Sequence, residues 1–197
     1  MGLLHDLTVA VLVAWVASEV VISLISFINR ARGPSQGEDR LSFLAVGLSI
    51  MPTMWFVIIT WTHRIFATGL GSFSALTPLL GYVGCLVASV GIAIRLVAVG
   101  TLRKQFTTTV AIVKDHVIVD TGLYRTIRHP AYLGLLASIL GFGLASGNWF
   151  SLAVSAVLPI TGILYRIHVE EGAMLRHFGP AYQVYASRTR RLLPGIY

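Results

Sequence analysis

Residues 131–167 read AYLGLLASILGFGLASGNWFSLAVSAVLPITGILYRI, two apolar runs at 131–146 and 149–167 on either side of Gly147-Asn148. No charge interrupts either run before Arg166. Each is slightly short of the ~20 residues an upright helix needs to cross the hydrocarbon core. Two such runs joined by a Gly-Asn pair predict a tight helical hairpin set in a bilayer. In lipid the backbone must satisfy its own hydrogen bonds, and consecutive apolar runs do so as helices. The hairpin therefore predicts an all-α, polytopic membrane protein.

The rest of the chain agrees. Of 197 residues 55% are hydrophobic and 12% charged, and the mean hydropathy of +0.78 is outside the soluble range. Further apolar stretches at 7–28, 41–61 and 76–99 bring the expected total to about five transmembrane helices. The first is read as a retained span, because MGLLHD lacks the basic n-region of a cleaved signal. Asp6 also stands where a myristoylation motif requires Ser or Thr. Glu19 is the one charge within that span, and it is expected to bond to Ser or Thr of a neighbouring helix, with a place lining a polar cavity as the alternative.

In the second span Pro52 predicts a kink, beside Met51, Met54, Trp55 and Phe56, which are read as ordinary packing residues, with a lipid-tail groove as the alternative. In the third, Gly84, Ala88 and Gly91 put small residues near one face, as close helix packing in lipid requires. Arg95, near the end of that span, is expected to snorkel to the surface.

Charge distribution gives the orientation. Placing 30–40, 100–130 and the tail from Arg166 on one side gathers three, five and five basic residues there, with Arg95 at the same side and only Arg64 opposite. The positive-inside rule then puts the N-terminus outside and the C-terminus in the cytoplasm. The net charge of +7 thus marks one face of a bilayer and gives no reason to expect nucleic acid. The single Cys85 excludes a disulfide framework and a thiolate cluster, and His116, His129, His168 and His177 lack metal-ligand spacing, so no metal is expected. No GxGxxG lies between a strand and a helix, which removes the dinucleotide-type domain.

The longest stretch that is neither span nor linker is HVIVDTGLYRTIRHPAY, 116–132. An antiparallel hairpin brings its 128–132 end beside Arg166, Glu170 and Glu171 at the foot of the other arm. Ionisable groups at the ends of apolar helices are costly unless a neighbour or a ligand satisfies them. This cluster is therefore the candidate working site, opening to the cytosol. Gly122 suits a turn, Tyr124 an aromatic wall, and Pro130 the first turn of a helix. Arg166 and Glu170 are four apart and share a helix face; by themselves they would be a local ion pair of little weight. Arg188, Arg190 and Arg191 are expected at anionic headgroups.

The order GLYRTIRHPAYLG (122–134), apolar hairpin, RIHVEEGAMLRHFGPAYQVYASRTRRLLP (166–194) sets RHPxY before an acidic pair and FGxxYxxY. Over roughly the last hundred residues this resembles the isoprenylcysteine carboxyl methyltransferase family, within the wider group of membrane methyltransferases that includes phospholipid N-methyltransferases. The resemblance implies S-adenosyl-L-methionine as cofactor, in a cytosolic pocket formed by the C-terminal half. His116, Val117, Ile118 and Val119 match the family's HxLV run, with Ile118 for Leu. Tyr124 matches its cofactor tyrosine, and His129, Pro130, Ala131 and Tyr132 its HPxY turn. Glu170 falls at the cofactor-binding glutamate and Arg166 at the substrate-binding arginine.

On this reading residues 1–99 are three helices of scaffold and substrate groove, and 100–197 are the catalytic region. The implied reaction methylates the carboxylate of a prenylated cysteine or similar lipid-like acceptor, which enters from the bilayer among membrane lipids. A phospholipid amine or small thiol is the alternative acceptor, and an amine would need a base such as Glu171 or a histidine. A non-catalytic lipid-binding scaffold is the alternative of another class. Ala111 and Ile112 stand where members often carry Gln or Glu, so one polar cofactor contact is either missing or supplied elsewhere.

Overall fold

A computed structural model describes residues 2–31, 36–62, 71–73, 76–108, 110–112 and 117–193. Six helices, α1 (Gly2–Ala31), α2 (Arg40–Thr62), α3 (Thr77–Leu102), α4 (Pro130–Ala145), α5 (Trp149–Phe178) and α6 (Pro180–Arg188), account for most of them. Four, α1, α2, α3 and α5, are long and apolar enough to cross a membrane. The fifth apolar helix, α4, has only 16 residues. Two short strands, β1 (Gln36–Asp39) and β2 (Val110–Ile112), pair antiparallel and tie the α1–α2 connection to the α3–α4 connection.

The long-range bonds fix the helix directions. Thr8 meets Cys85, Glu19 meets Arg95 and Asn29 meets Arg103, so α1 and α3 run parallel. Thr60 meets Ser151 and Ser42 meets Arg166, so α2 and α5 run antiparallel. The hairpin forms as expected. Gly147 takes φ +73°, a conformation that glycine adopts without strain, and the Asn148 side chain accepts from the Phe150 and Ser151 amides at 2.9 and 3.1 Å to start α5. As a result the last turns of α1 and α3, the first turns of α2 and α4, and Arg166 all lie at one end of the bundle.

Small residues let α4 occupy the centre. Along α3 and α4, Gly84, Ala88, Gly91 and Arg95 meet Ala145, Gly141, Ser138 and Gly134 in antiparallel order. A Cβ on Gly84 would stand 2.5 Å from the Ala145 nitrogen, and one on Gly91 2.5 Å from that of Ser138. Backbones this close leave no room for a methyl group. Dispersion between backbones replaces the hydrophobic drive that lipid cannot supply. The outward faces of the other helices are apolar and exposed, as Val13, Val20 and Phe27 are on α1.

Three expectations change. Among the described residues Glu19 bonds to an arginine rather than to Ser or Thr: Arg95 donates to it through Nε at 2.5 Å and Nη2 at 2.8 Å. Arg95 does not snorkel, since it is 8% exposed and its Nη1 also donates to the Ala131 carbonyl at 3.1 Å. A guanidinium and a carboxylate that face each other inside a bundle satisfy one another at less cost than reaching for water across apolar surface. The residues around Pro52 also diverge, with Met54 buried and Met51 and Trp55 exposed on the outer surface, while α2 continues through the proline. Arg64 and His116 lie outside the described residues.

Candidate functional site

At the end of the bundle where those helix termini meet is a cavity of about 190 Å³. Its floor comes from α4 and α5. Pro130 supplies the first helical turn of α4 without an N–H to satisfy, so the chain turns sharply from His129 into the bundle and aims Tyr132 inward. The Tyr132 hydroxyl accepts from Arg166 Nε at 3.1 Å and donates to Glu170 Oε2 at 2.8 Å. Arg166, 2% exposed, also donates from Nη1 to Ser42 Oγ at 2.7 Å and from Nη2 to the Thr108 carbonyl at 2.8 Å. One guanidinium thereby gathers α2, α4 and the α3–α4 connection around the cavity.

The walls come from that connection and from α6. Val117, Ile118, Val119 and Tyr124 line it from the connection, and Tyr182 and Tyr185 from α6. Tyr185 donates its hydroxyl to the Tyr124 carbonyl at 2.8 Å. Burial raises the Tyr124 and Tyr182 hydroxyls above the ordinary phenol range and pushes Tyr185 up to about 12, so all three stay neutral donors at physiological pH.

A second cluster supports the first from behind. Glu171 accepts from Arg128 Nε at 2.8 Å and Arg191 Nε at 2.9 Å, with His129 Nε2 3.4 Å away. Arg128 and His129 give their backbone amides to the Arg190 and Arg191 carbonyls, and the Arg190 amide donates to the Thr126 carbonyl. Arg128 Nη1 also reaches the carbonyls of Ala186 and Thr189. The segment after α6 is thus zipped onto the RHPAY turn. Arg191 serves Glu171 and Arg188 pairs with Asp120 at 2.5 Å, so each of these arginines has a partner within the protein.

Among the residues singled out in the sequence, Val117, Ile118, Val119, Tyr124, His129, Ala131, Tyr132, Arg166 and Glu170 all line this cavity. Pro130 is fully buried beneath it and shapes the turn. Sequence reasoning missed Ser42, Phe43, Gln105, Thr108 and the cavity-facing role of Arg95. Gln105 accepts from the Val117 amide at 2.9 Å, placing an amide side chain at the wall although positions 111 and 112 carry none. Its only signal was being polar beside a span.

This fold and site define a class: multi-pass α-helical membrane proteins with a largely apolar cavity at one end that carries a few polar and charged groups, flanked by a helix stapled onto an Arg-His-Pro turn. Residues 82–176 match the model of the isoprenylcysteine carboxyl methyltransferase family. The protein-S-isoprenylcysteine O-methyltransferase of Dictyostelium discoideum is 32% identical over 152 residues, covering 70% of this chain and 56% of that protein. The protein of the same name from Saccharomyces cerevisiae is 33% identical over 127 residues, covering 64% and 53%. A solved structure of the eukaryotic intramembrane Ras methyltransferase ICMT superposes with a TM-score of 0.64 at 25% identity, covering 79% of this chain and 61% of that one. The similarity to the isoprenylcysteine carboxyl methyltransferase family thus centres on residues 82–176, and the chain spans a little over half the length of these two curated relatives.

Proposed function

We propose that this chain is an S-adenosyl-L-methionine-dependent membrane methyltransferase that methylates the carboxylate of a prenylated cysteine or a similar lipid-like acceptor. The observation that carries the reading is the Arg166–Tyr132–Glu170 chain lining a cavity at the foot of the hairpin.

The donor set fits the cofactor. Glu170 offers a carboxylate to an ammonium or sulfonium charge, and only its Oε2 is bonded among the described residues. Tyr124, Tyr182 and the apolar run 117–119 give flat and aliphatic walls suited to an adenosine. When bound, the cofactor supplies a methyl group made electrophilic by the sulfonium. Arg166 holds the acceptor carboxylate by charge-assisted bonds, while Tyr132 sets the angle between the two subsites. A carboxylate, with an ordinary pKa near ~4, is already ionised and needs no general base. Closure of the wall by α6 keeps water from competing.

An amine acceptor would have to lose a proton first. Glu171, one candidate base, is committed to Arg128 and Arg191, with the cavity-lining His129 3.4 Å from it, and the carboxylate reading needs neither group as a base. We place the site on the cytosolic side from the positive-inside asymmetry, with the N-terminus outside and the acceptor's tail reaching in from the bilayer past Phe43 and Val46. The first 99 residues serve as scaffold and groove, and residues 100–197 carry most of the chemistry.

The test is labelled-methyl transfer from S-adenosylmethionine by purified protein to a farnesylated cysteine, a phospholipid amine and a small thiol. Transfer to the farnesylated cysteine supports the proposal. Transfer to the amine or thiol alone reassigns the acceptor, and absence of both cofactor binding and transfer leaves a lipid-binding scaffold.

A further inference from the structure

We infer that Asn29, on the first helix, is a positioning residue of the site: it fixes residues 103–108, on which both Arg166 and the 117–119 wall are hung. The idea rests on the methyltransferase reading for its kinetic consequence, but the geometry stands by itself. Asn29 lies well before the segment that matches the family, so this role is drawn from the present contacts alone.

The chain leaves α3 through an unusual corner. Arg103 adopts φ +51° and ψ −118°, the one positive φ outside glycine among the described residues. A side chain in that region is strained, and such strain persists only where surrounding contacts over-determine the backbone. The contacts are visible here. Asn29 Nδ2 donates to the Arg103 carbonyl and to the Phe106 carbonyl, each at 2.9 Å, with Asn29 only 6% exposed. One amide thereby grips both ends of the tight turn. Three residues earlier on the same face, Ser26 Oγ accepts from the Thr108 amide at 2.7 Å and lies 2.9 Å from its hydroxyl.

What hangs on 103–108 is the site. The Thr108 carbonyl receives Arg166 Nη2, and Gln105 Oε1 receives the Val117 amide that begins the cavity wall. Gln105, Phe106, Thr107 and Thr108 all line the cavity themselves. A displacement of the corner therefore moves the acceptor's guanidinium and the cofactor's wall together. Misplacement of about 1 Å at a reacting geometry costs on the order of a hundredfold in rate, so a remote helix can matter this much.

The experiment compares wild type, Asn29→Ala, the double variant Asn29→Ala/Arg103→Gly, and Ile22→Ala in detergent-solubilised full chain. Ile22, 1% exposed on the same helix, is the control for simple loss of packing. Hydrogen exchange, thermal unfolding, S-adenosylhomocysteine affinity and methyl-transfer kinetics are measured on each. Asn29→Ala is expected to lose amide protection at 103–108 and at Val117, to weaken S-adenosylhomocysteine binding and lower kcat/KM by about tenfold or more, and to recover most of both when Arg103→Gly removes the strain. Ile22→Ala should unfold earlier without this local loss. Unchanged protection in Asn29→Ala, or the same loss in Ile22→Ala, or no recovery in the double variant, overturns the inference. If wild type binds no S-adenosylhomocysteine, the proposed activity fails, while the exchange comparison still decides the role of Asn29.

Discussion

Tyr132 carries Arg166 on one side of its hydroxyl and Glu170 on the other, at 3.1 and 2.8 Å. The phenol comes from α4 and both partners from one turn of α5, so a single oxygen sets the spacing of a cation and an anion across the hairpin. Because Arg166 is held on further sides by Ser42 and Thr108, the relationship has little freedom to relax.

Tyr132→Phe removes that oxygen and keeps the ring. Arg166 Nε and Glu170 Oε2 lose a buried partner, which costs about 1–3 kcal/mol of stability, and kcat/KM for methyl transfer is expected to fall about 10- to 100-fold. Steady-state kinetics with thermal unfolding checks this. Unaltered kinetics would remove Tyr132 from the site.

Arg166 and Glu170 should separate by readout. Glu170→Ala is expected to abolish S-adenosylmethionine binding, whereas Arg166→Ala retains binding and loses turnover, because its proposed partner is the acceptor. Calorimetry on the solubilised protein beside a transfer assay distinguishes them, and equal loss of both properties in both variants shows the roles to be misassigned.

The Glu19–Arg95 pair lies within the bundle, with Arg95 buried and Glu19 partly so, their side chains 10% and 25% exposed. Removing one partner strands the other charge, so Arg95→Met should destabilise by about 3–5 kcal/mol, while Glu19→Leu/Arg95→Met should recover much of that loss. Thermal unfolding of the two variants is the measurement. A double variant no better than the single would mean that the Arg95 bond to the Ala131 carbonyl matters more than the pair.

The α3–α4 seam makes a steric prediction. Gly91→Val puts a branched side chain where even a Cβ would stand 2.5 Å from the Ser138 nitrogen, so the helices must part and folded yield should collapse. Gly47→Ala on α2 meets nothing within 4 Å and should leave the unfolding midpoint unchanged or slightly higher.

Asp120 and Arg188 form an ion pair with half of each side chain in solvent, at 48% and 56% exposure. Such pairs contribute about 1 kcal/mol or less. Asp120→Asn is therefore expected to be silent in thermal unfolding at physiological salt, in contrast to Glu171→Gln, which removes the charge and leaves either Arg128 or Arg191 facing an amide nitrogen in place of its acceptor oxygen, and should loosen the segment after α6.

The apolar runs, the Gly147-Asn148 turn, the small-residue stripe at Gly84, Ala88 and Gly91, and the RHPAY turn beside Arg166 and Glu170 were all legible in the sequence. Each depends on length, on a 3.6-residue period or on antiparallel return, and these are local properties. The tertiary structure decided who meets whom across the bundle. Glu19 finds Arg95 76 positions away, Asn29 finds Phe106, and Arg166 finds Ser42 124 positions earlier. Such contacts depend on how far each helix is rotated and slid against its neighbours. That is set by where glycines allow backbones to touch, and no periodicity within a single helix records it.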